Sequence, residues 1–125
     1  MSQKPRILLI DDSEITVEGL KSYLDQKYEV HTAYNGLDGL NEFENNKNKF
    51  DLVITDLIMP LISGTGLITL VKKESPEMPV IAITGWGKHP SELASEAKAD
   101  VILEKPFELE VLEESISKLL YPNKP

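Results

Sequence analysis

Short apolar runs alternate with longer segments of helical period along the whole chain, and this alternation restricts the fold more than any other feature. Arg6–Ile10 is continuously apolar after its first residue, the pattern of a strand buried on both faces. Residues 13–27 then place Val17, Leu20 and Leu24 at helical spacing, with Asp12 or Ser13 as N-cap. Residues 28–33 alternate as a strand, and Asn35 caps a second helix whose Leu37, Leu40 and Phe43 point one way. That helix dissolves in the polar stretch 45–49. Residues 51–55 form the third strand, and after Pro60 a helix turns Leu67, Leu70 and Val71 inward. Residues 79–84 are a fourth strand, with Pro79 at its first position, where a missing donor is tolerated. A short fourth helix at 91–98, a fifth strand at 101–103 and a last helix with Leu109, Leu112, Ile116 and Leu119 as its buried stripe complete the series.

Five strands alternating with five helices specify an α/β domain whose parallel sheet is covered on both faces. Right-handed crossovers leave few topologies. A chain of 125 residues suits one such domain, so residues 1–125 read as a single unit with an ordered core at about 5–120. The absence of cysteine excludes disulfide frameworks, thiolate zinc sites and cysteine nucleophiles. No apolar run approaches the ~20 residues of a membrane span, and residues 1–3 leave no room for a signal peptide, so a cytoplasmic location is the expectation. The formal charge of −8 argues against direct nucleic-acid or membrane binding, and Lys47, Lys49, Lys72 and Lys73 all have acidic neighbours.

In an open parallel sheet, ligands bind outside the carboxyl ends of the strands. Asp11-Asp12 follows the first strand, Asp56 the third, Thr84 ends the fourth, and Lys105-Pro106 follows the fifth. Three carboxylates in one small pocket repel, by about 4 kcal/mol for two unit charges 4 Å apart at an effective dielectric of 20. Either one carboxylate holds a proton or a cation sits among them. Without cysteine or histidine the cluster selects a hard ion such as Mg²⁺ (or Mn²⁺), which favours a few carboxylates plus water and phosphate oxygens. A hydroxyl and an ammonium opposite suit the remaining phosphoryl oxygens. The pattern indicates a metal-dependent phosphoryl site with one aspartate as nucleophile.

Over essentially its whole length the chain resembles a response-regulator receiver domain of two-component signalling. The resemblance is carried by Ile-Leu-Leu-Ile-Asp-Asp (7–12), Asp-Leu-Val-Ile-Thr-Asp-Leu-Ile-Met-Pro (51–60), Pro-Val-Ile-Ala-Ile-Thr-Gly (79–85) and Leu-Glu-Lys-Pro-Phe (103–107). It implies a flavodoxin-like (βα)5 sandwich with strand order 2-1-3-4-5, an order known for this family. It further implies that Asp56 accepts a phosphoryl group from a phosphohistidine on a sensor histidine kinase or phosphotransfer protein. Asp11, Asp12, Asp56 and the backbone carbonyl of Ile58 would hold Mg²⁺. Thr84 and Lys105 would bond phosphoryl oxygens, and Lys105-Pro106 would be a cis peptide. The face made by the fourth helix, fifth strand and fifth helix would be read by a downstream protein or fused output domain, and could pair two copies. Such a chain catalyses only its own phosphorylation and dephosphorylation.

Three positions depart from the family pattern. Ile102 stands where an aromatic residue is usual, Lys98-Ala99 replaces Gly-Ala at the end of the fourth helix, and Gly85-Trp86-Gly87 begins the loop after the fourth strand. Ile58 and Trp86 border the path of hydrolytic water. A phosphorylation-independent interaction module is the alternative reading, supported only by Ile102. An aspartyl-phosphate hydrolase of the haloacid-dehalogenase type lacks its second aspartate, because that position is Ile58. A flavodoxin would meet Asp11-Asp12 where its flavin phosphate binds. Ser63-Gly64-Thr65-Gly66 lacks the residues of a P-loop and reads as a flexible helix start. His31 and His89 have no metal-ligand partner at helical spacing and read as surface or loop residues. The glutamates of the last helix (108, 110, 113, 114) read as a solvated face.

Overall fold

The computed structural model describes residues 4–46, 49–59, 61–85 and 98–123. Five strands, β1 (Arg6–Ile10), β2 (Glu29–Ala33), β3 (Leu52–Asp56), β4 (Val80–Thr84) and β5 (Val101–Glu104), form one parallel sheet in the order β2-β1-β3-β4-β5. Among the described residues the helices are α1 (Glu14–Leu24), α2 (Gly36–Asn46), α3 (Gly64–Glu74) and a C-terminal helix (Leu109–Leu120). This is the flavodoxin-like order expected. The helix read at 91–98 lies outside the described residues except for Lys98.

Continuous apolar strands arise because alternate residues serve opposite faces, both of them covered. Ile7, Leu9, Leu52, Ile54, Ile81 and Ile83 pack with Val17, Leu20 and Leu24 of α1 and with Leu112 and Ile116 of the C-terminal helix. Leu8, Ile10, Val53, Val80 and Ala82 pack with Phe43 of α2 and with Leu67, Ile68 and Val71 of α3. Strand spacing then delivers the residues that follow Ile10, Thr55 and Ile83 to one edge. Caps fix the helix starts beside that edge. Ser13 Oγ accepts from the Thr16 N–H, Asn35 Oδ1 from the Asp38 N–H at 2.7 Å, and Ser63 Oγ from the Gly66 N–H at 3.1 Å.

Several side chains lie elsewhere than the sequence pattern predicts. Leu37, Leu70 and Leu109 are exposed. On α2, Phe43 and the half-buried Leu40 face the core as expected, while Gly36 and Gly39 are buried in place of Leu37. A Cβ at Gly39 would press on the Ile10 side chain, so this glycine lets α2 lie close to the sheet, and one at Gly36 would meet the Ile62 backbone ahead of α3. On α3, Ile68 takes the inward place expected of Leu70. His31 is a partnered residue of β2. Its Nε2 lies 2.7 Å from Glu29 Oε2 and 2.8 Å from Arg6 Nη2, and its ring meets Phe50 edge-on. The His31 contact and then that of Arg6 hold the Glu29 carboxyl below the usual carboxylate range. Glu113 likewise leaves the solvated face, since Tyr28 Oη donates to its Oε1 at 2.8 Å. Burial, reinforced by this bond, pushes the Tyr28 hydroxyl upward.

Among the described residues, two non-glycine residues occupy the left-handed region, Leu61 and Lys98, each at φ 72°. Lys98 thus adopts a glycine-like backbone at the position where the family pattern has glycine. Leu61 is 73% exposed, so its side chain gains little from burial while its backbone is strained. Leu61→Gly is expected to stabilise the protein by about 0.5–1 kcal/mol, seen as a higher denaturation midpoint at unchanged slope.

Candidate functional site

Asp11 is the residue after β1 and is 1% exposed. Its Oδ1 accepts the Ser13 N–H at 2.9 Å, which turns the carboxylate across the start of α1. Its Oδ2 lies 3.5 Å from Lys105 Nζ. Asp12, next in the chain, is exposed. Asp56 ends β3 and is buried; its Oδ1 accepts the Leu57 N–H at 2.8 Å and its Oδ2 lies 3.8 Å from Lys105 Nζ. Lys105 comes from the other side of the sheet, where its N–H donates to the Thr84 carbonyl at 2.7 Å. Thr84 ends β4 and is 1% exposed. The Lys105-Pro106 bond is cis, as expected.

Carboxylate oxygens of Asp11, Asp12 and Asp56 all lie within 4.8 Å of one another. Against them the described residues set one ammonium at 3.5 and 3.8 Å, distances of Coulombic pairing more than of hydrogen bonding. Burial, and next the Asp11 charge, push the Asp56 carboxyl above its ordinary range. Lys105 and the Leu57 and Ile58 N–H groups oppose this without cancelling it. Three oxygen donors of this spacing and hardness fit one Mg²⁺ or Mn²⁺, and exposed Asp12 leaves a route in from solvent.

Asp11, Asp12, Asp56, Thr84 and Lys105 thus stand at the carboxyl edge that the sequence assigns them. The Ile58 side chain is 53% exposed beside Asp56, and its N–H faces the Asp56 carboxylate. Trp86 and His89 lie outside the described residues. Ile102 is half-buried against the α2–α3 side of the core. Sequence reasoning missed the backbone around Asp56, since an N–H carries no letter in the sequence. Gly64 offered a signal, a glycine at a helix start, but in a polar run it reads as flexibility rather than close packing.

The family model described as the response regulator receiver domain matches residues 7–117. The chain belongs to the response regulator receiver domain family. This receiver domain is 35% identical to the transcriptional regulatory protein GlrR of Escherichia coli K12, over 100% of its own length and 28% of that protein. It is therefore a signalling module rather than an enzyme that turns over a separate substrate, and it spans under a third of that relative's length. A receiver domain from Clostridium thermocellum matches it with a TM-score of 0.89 and 35% identity, covering 94% of this chain and 95% of the other. The BeF3-activated DrrB receiver domain matches with a TM-score of 0.83 and 28% identity, over 94% and 98%. No helix among the described residues is long and apolar enough to cross a membrane.

Proposed function

We propose that this receiver domain is a phosphoacceptor switch in which Asp56 takes a phosphoryl group from a phosphohistidine of a sensor histidine kinase or phosphotransfer protein. The observation that carries the reading is the Asp56 carboxylate itself, held by the Leu57 N–H at one oxygen and facing Lys105 at the other. Asp11, Asp12, Asp56 and the Ile58 carbonyl would hold Mg²⁺, which when bound neutralises charge on the carboxylates and on the phosphoryl oxygens. Asp56 forms the new O–P bond as the donor N–P bond breaks, and the electron pair leaves with the imidazole nitrogen. Lys105 pairs with one phosphoryl oxygen and the Thr84 hydroxyl bonds another. The similar DrrB receiver domain is one that BeF3 activates.

The modification adds about −1.5 to −2 charge units, to which Thr84 and β5 respond. A downstream protein or fused output domain, or a second copy of the domain, then reads the face that includes β5 and the C-terminal helix. Ile102 gives that face a smaller side chain than the usual aromatic, so its response differs from that of its relatives. Phosphate taken up from a phosphoramidate with Mg²⁺ is expected to be released by hydroxylamine, as an acyl phosphate is. Uptake resistant to hydroxylamine contradicts the assignment.

Ile58 shields the acyl phosphate from water. Ile58→Asn replaces a half-exposed apolar side chain by one that can orient water, and roughly three- to tenfold faster dephosphorylation is expected, about 1 kcal/mol of barrier. An unchanged lifetime counts against shielding.

A further inference from the structure

We propose that Thr55 and Gly64 are positioning residues for Asp56, fixing the plane of the peptide that joins Asp56 to Leu57. The inference rests on Asp56 being the phosphoacceptor. That peptide has an oxygen end and an N–H end, held rigidly together by the planarity of the amide. At the oxygen end, the fully buried Thr55 donates its hydroxyl to the Asp56 carbonyl at 2.9 Å. Gly64, first residue of α3, sits against the same carbonyl. A Cβ there would overlap the Asp56 oxygen and come within 2.5 Å of Leu57 Cα. The Gly64 N–H also donates to the Leu57 carbonyl at 2.9 Å, which seats α3 on this stretch.

At the other end, the Leu57 N–H is shared between Asp56 Oδ1 at 2.8 Å and the Ile83 carbonyl at 3.1 Å. Tilting the carbonyl therefore swings the donor that aims the carboxylate. The hydroxyl of Thr55 stands in a strand whose other residues before Asp56 are Leu52, Val53 and Ile54. Burying it there costs stability unless it is bonded, and valine would keep the shape without that cost. Its bond to Asp56 accounts for its presence. Neither residue touches the phosphoryl group; both act through Asp56.

The test compares Thr55→Val, Thr55→Ser and Gly64→Ala with the wild-type chain, each below its own melting transition. A phosphoramidate with saturating Mg²⁺ serves as donor and intact mass as readout. Thr55→Val is expected to lower the maximal rate about three- to tenfold at unchanged half-saturation by the donor, with a larger drop in Gly64→Ala. Thr55→Ser, which keeps the hydroxyl, returns the rate to within about twofold of wild type. Mg²⁺ binding to the unphosphorylated proteins, measured by calorimetry, weakens in the same order. A Thr55→Val rate at the wild-type level, or a Thr55→Ser rate as low as that of valine, overturns the inference while leaving the functional reading intact. A wild-type chain that takes no phosphate overturns both.

Discussion

Lys105→Met is expected to slow phosphate uptake from a small phosphoramidate by about a hundredfold or more, as loss of a preorganised charge at a phosphoryl oxygen does. The ammonium lies 3.5 Å from Asp11 and 3.8 Å from Asp56, with side-chain exposure of 34%, so it is held near both acids yet reachable by an incoming oxygen. Methionine keeps the stem and removes the charge. The same change leaves Asp11 and Asp56 without their cation, so the metal-free protein should also melt lower. Lys105→Arg is expected to recover little of the rate, because a planar fork cannot replace a compact point charge at this distance. A Lys105→Met rate within about threefold of wild type would remove Lys105 from the chemistry.

Asp56→Asn is expected to do two opposite things: abolish phosphate uptake and stabilise the metal-free fold. Burial and the Asp11 charge raise the Asp56 carboxyl in the folded state, whereas in the unfolded chain it titrates near 4. Below that value both states carry the proton and the side chain costs nothing. As pH rises through the folded pKa, the folded state must ionise against burial and repulsion, and stability falls. Asparagine has no such loss. In chelator at neutral pH it is expected to melt higher than wild type, with the advantage shrinking toward pH 4. Added Mg²⁺ is expected to narrow the gap, because a ligand taken up only by the folded wild-type protein stabilises it. An Asp56→Asn protein less stable than wild type in chelator at pH 7 would contradict the electrostatic account of the cluster.

The parts of the fold that depend on period were legible in the sequence. Arg6–Ile10 is a strand with the limits read from its apolar run, because a parallel strand covered on both faces needs no alternation to be recognised. β3 and β4 deviate by a residue at their ends, where proline and turn residues share the boundary. Helix faces were less legible. Leu37 fits the stripe of α2 by spacing, but Gly36 and Gly39 move the contact line, since absent side chains let the helix settle on that side. Leu109 is a first-turn residue and lies beyond the edge of the C-terminal helix that Leu112 and Ile116 bury.

Partnerships across strands were not legible at all. His31 meets Arg6 only once β1 and β2 are in register, and Glu113 meets Tyr28 only once the C-terminal helix has packed. The side chains of the site were visible because strand-end position alone brings Asp11, Asp56, Thr84 and Lys105 to one edge of a parallel sheet. The peptide that orients Asp56 was not, because Thr55 looks like any β-branched strand residue until its hydroxyl is seen on the Asp56 carbonyl.

The most direct test is the intact mass of the chain after incubation with a small phosphoramidate and Mg²⁺, beside Asp56→Asn and a chelator control. One phosphoryl group on the wild type, and none in the variant or in chelator, is the result expected. Equal uptake by Asp56→Asn, or uptake that ignores removal of the metal, would contradict the assignment of Asp56 as a metal-dependent acceptor.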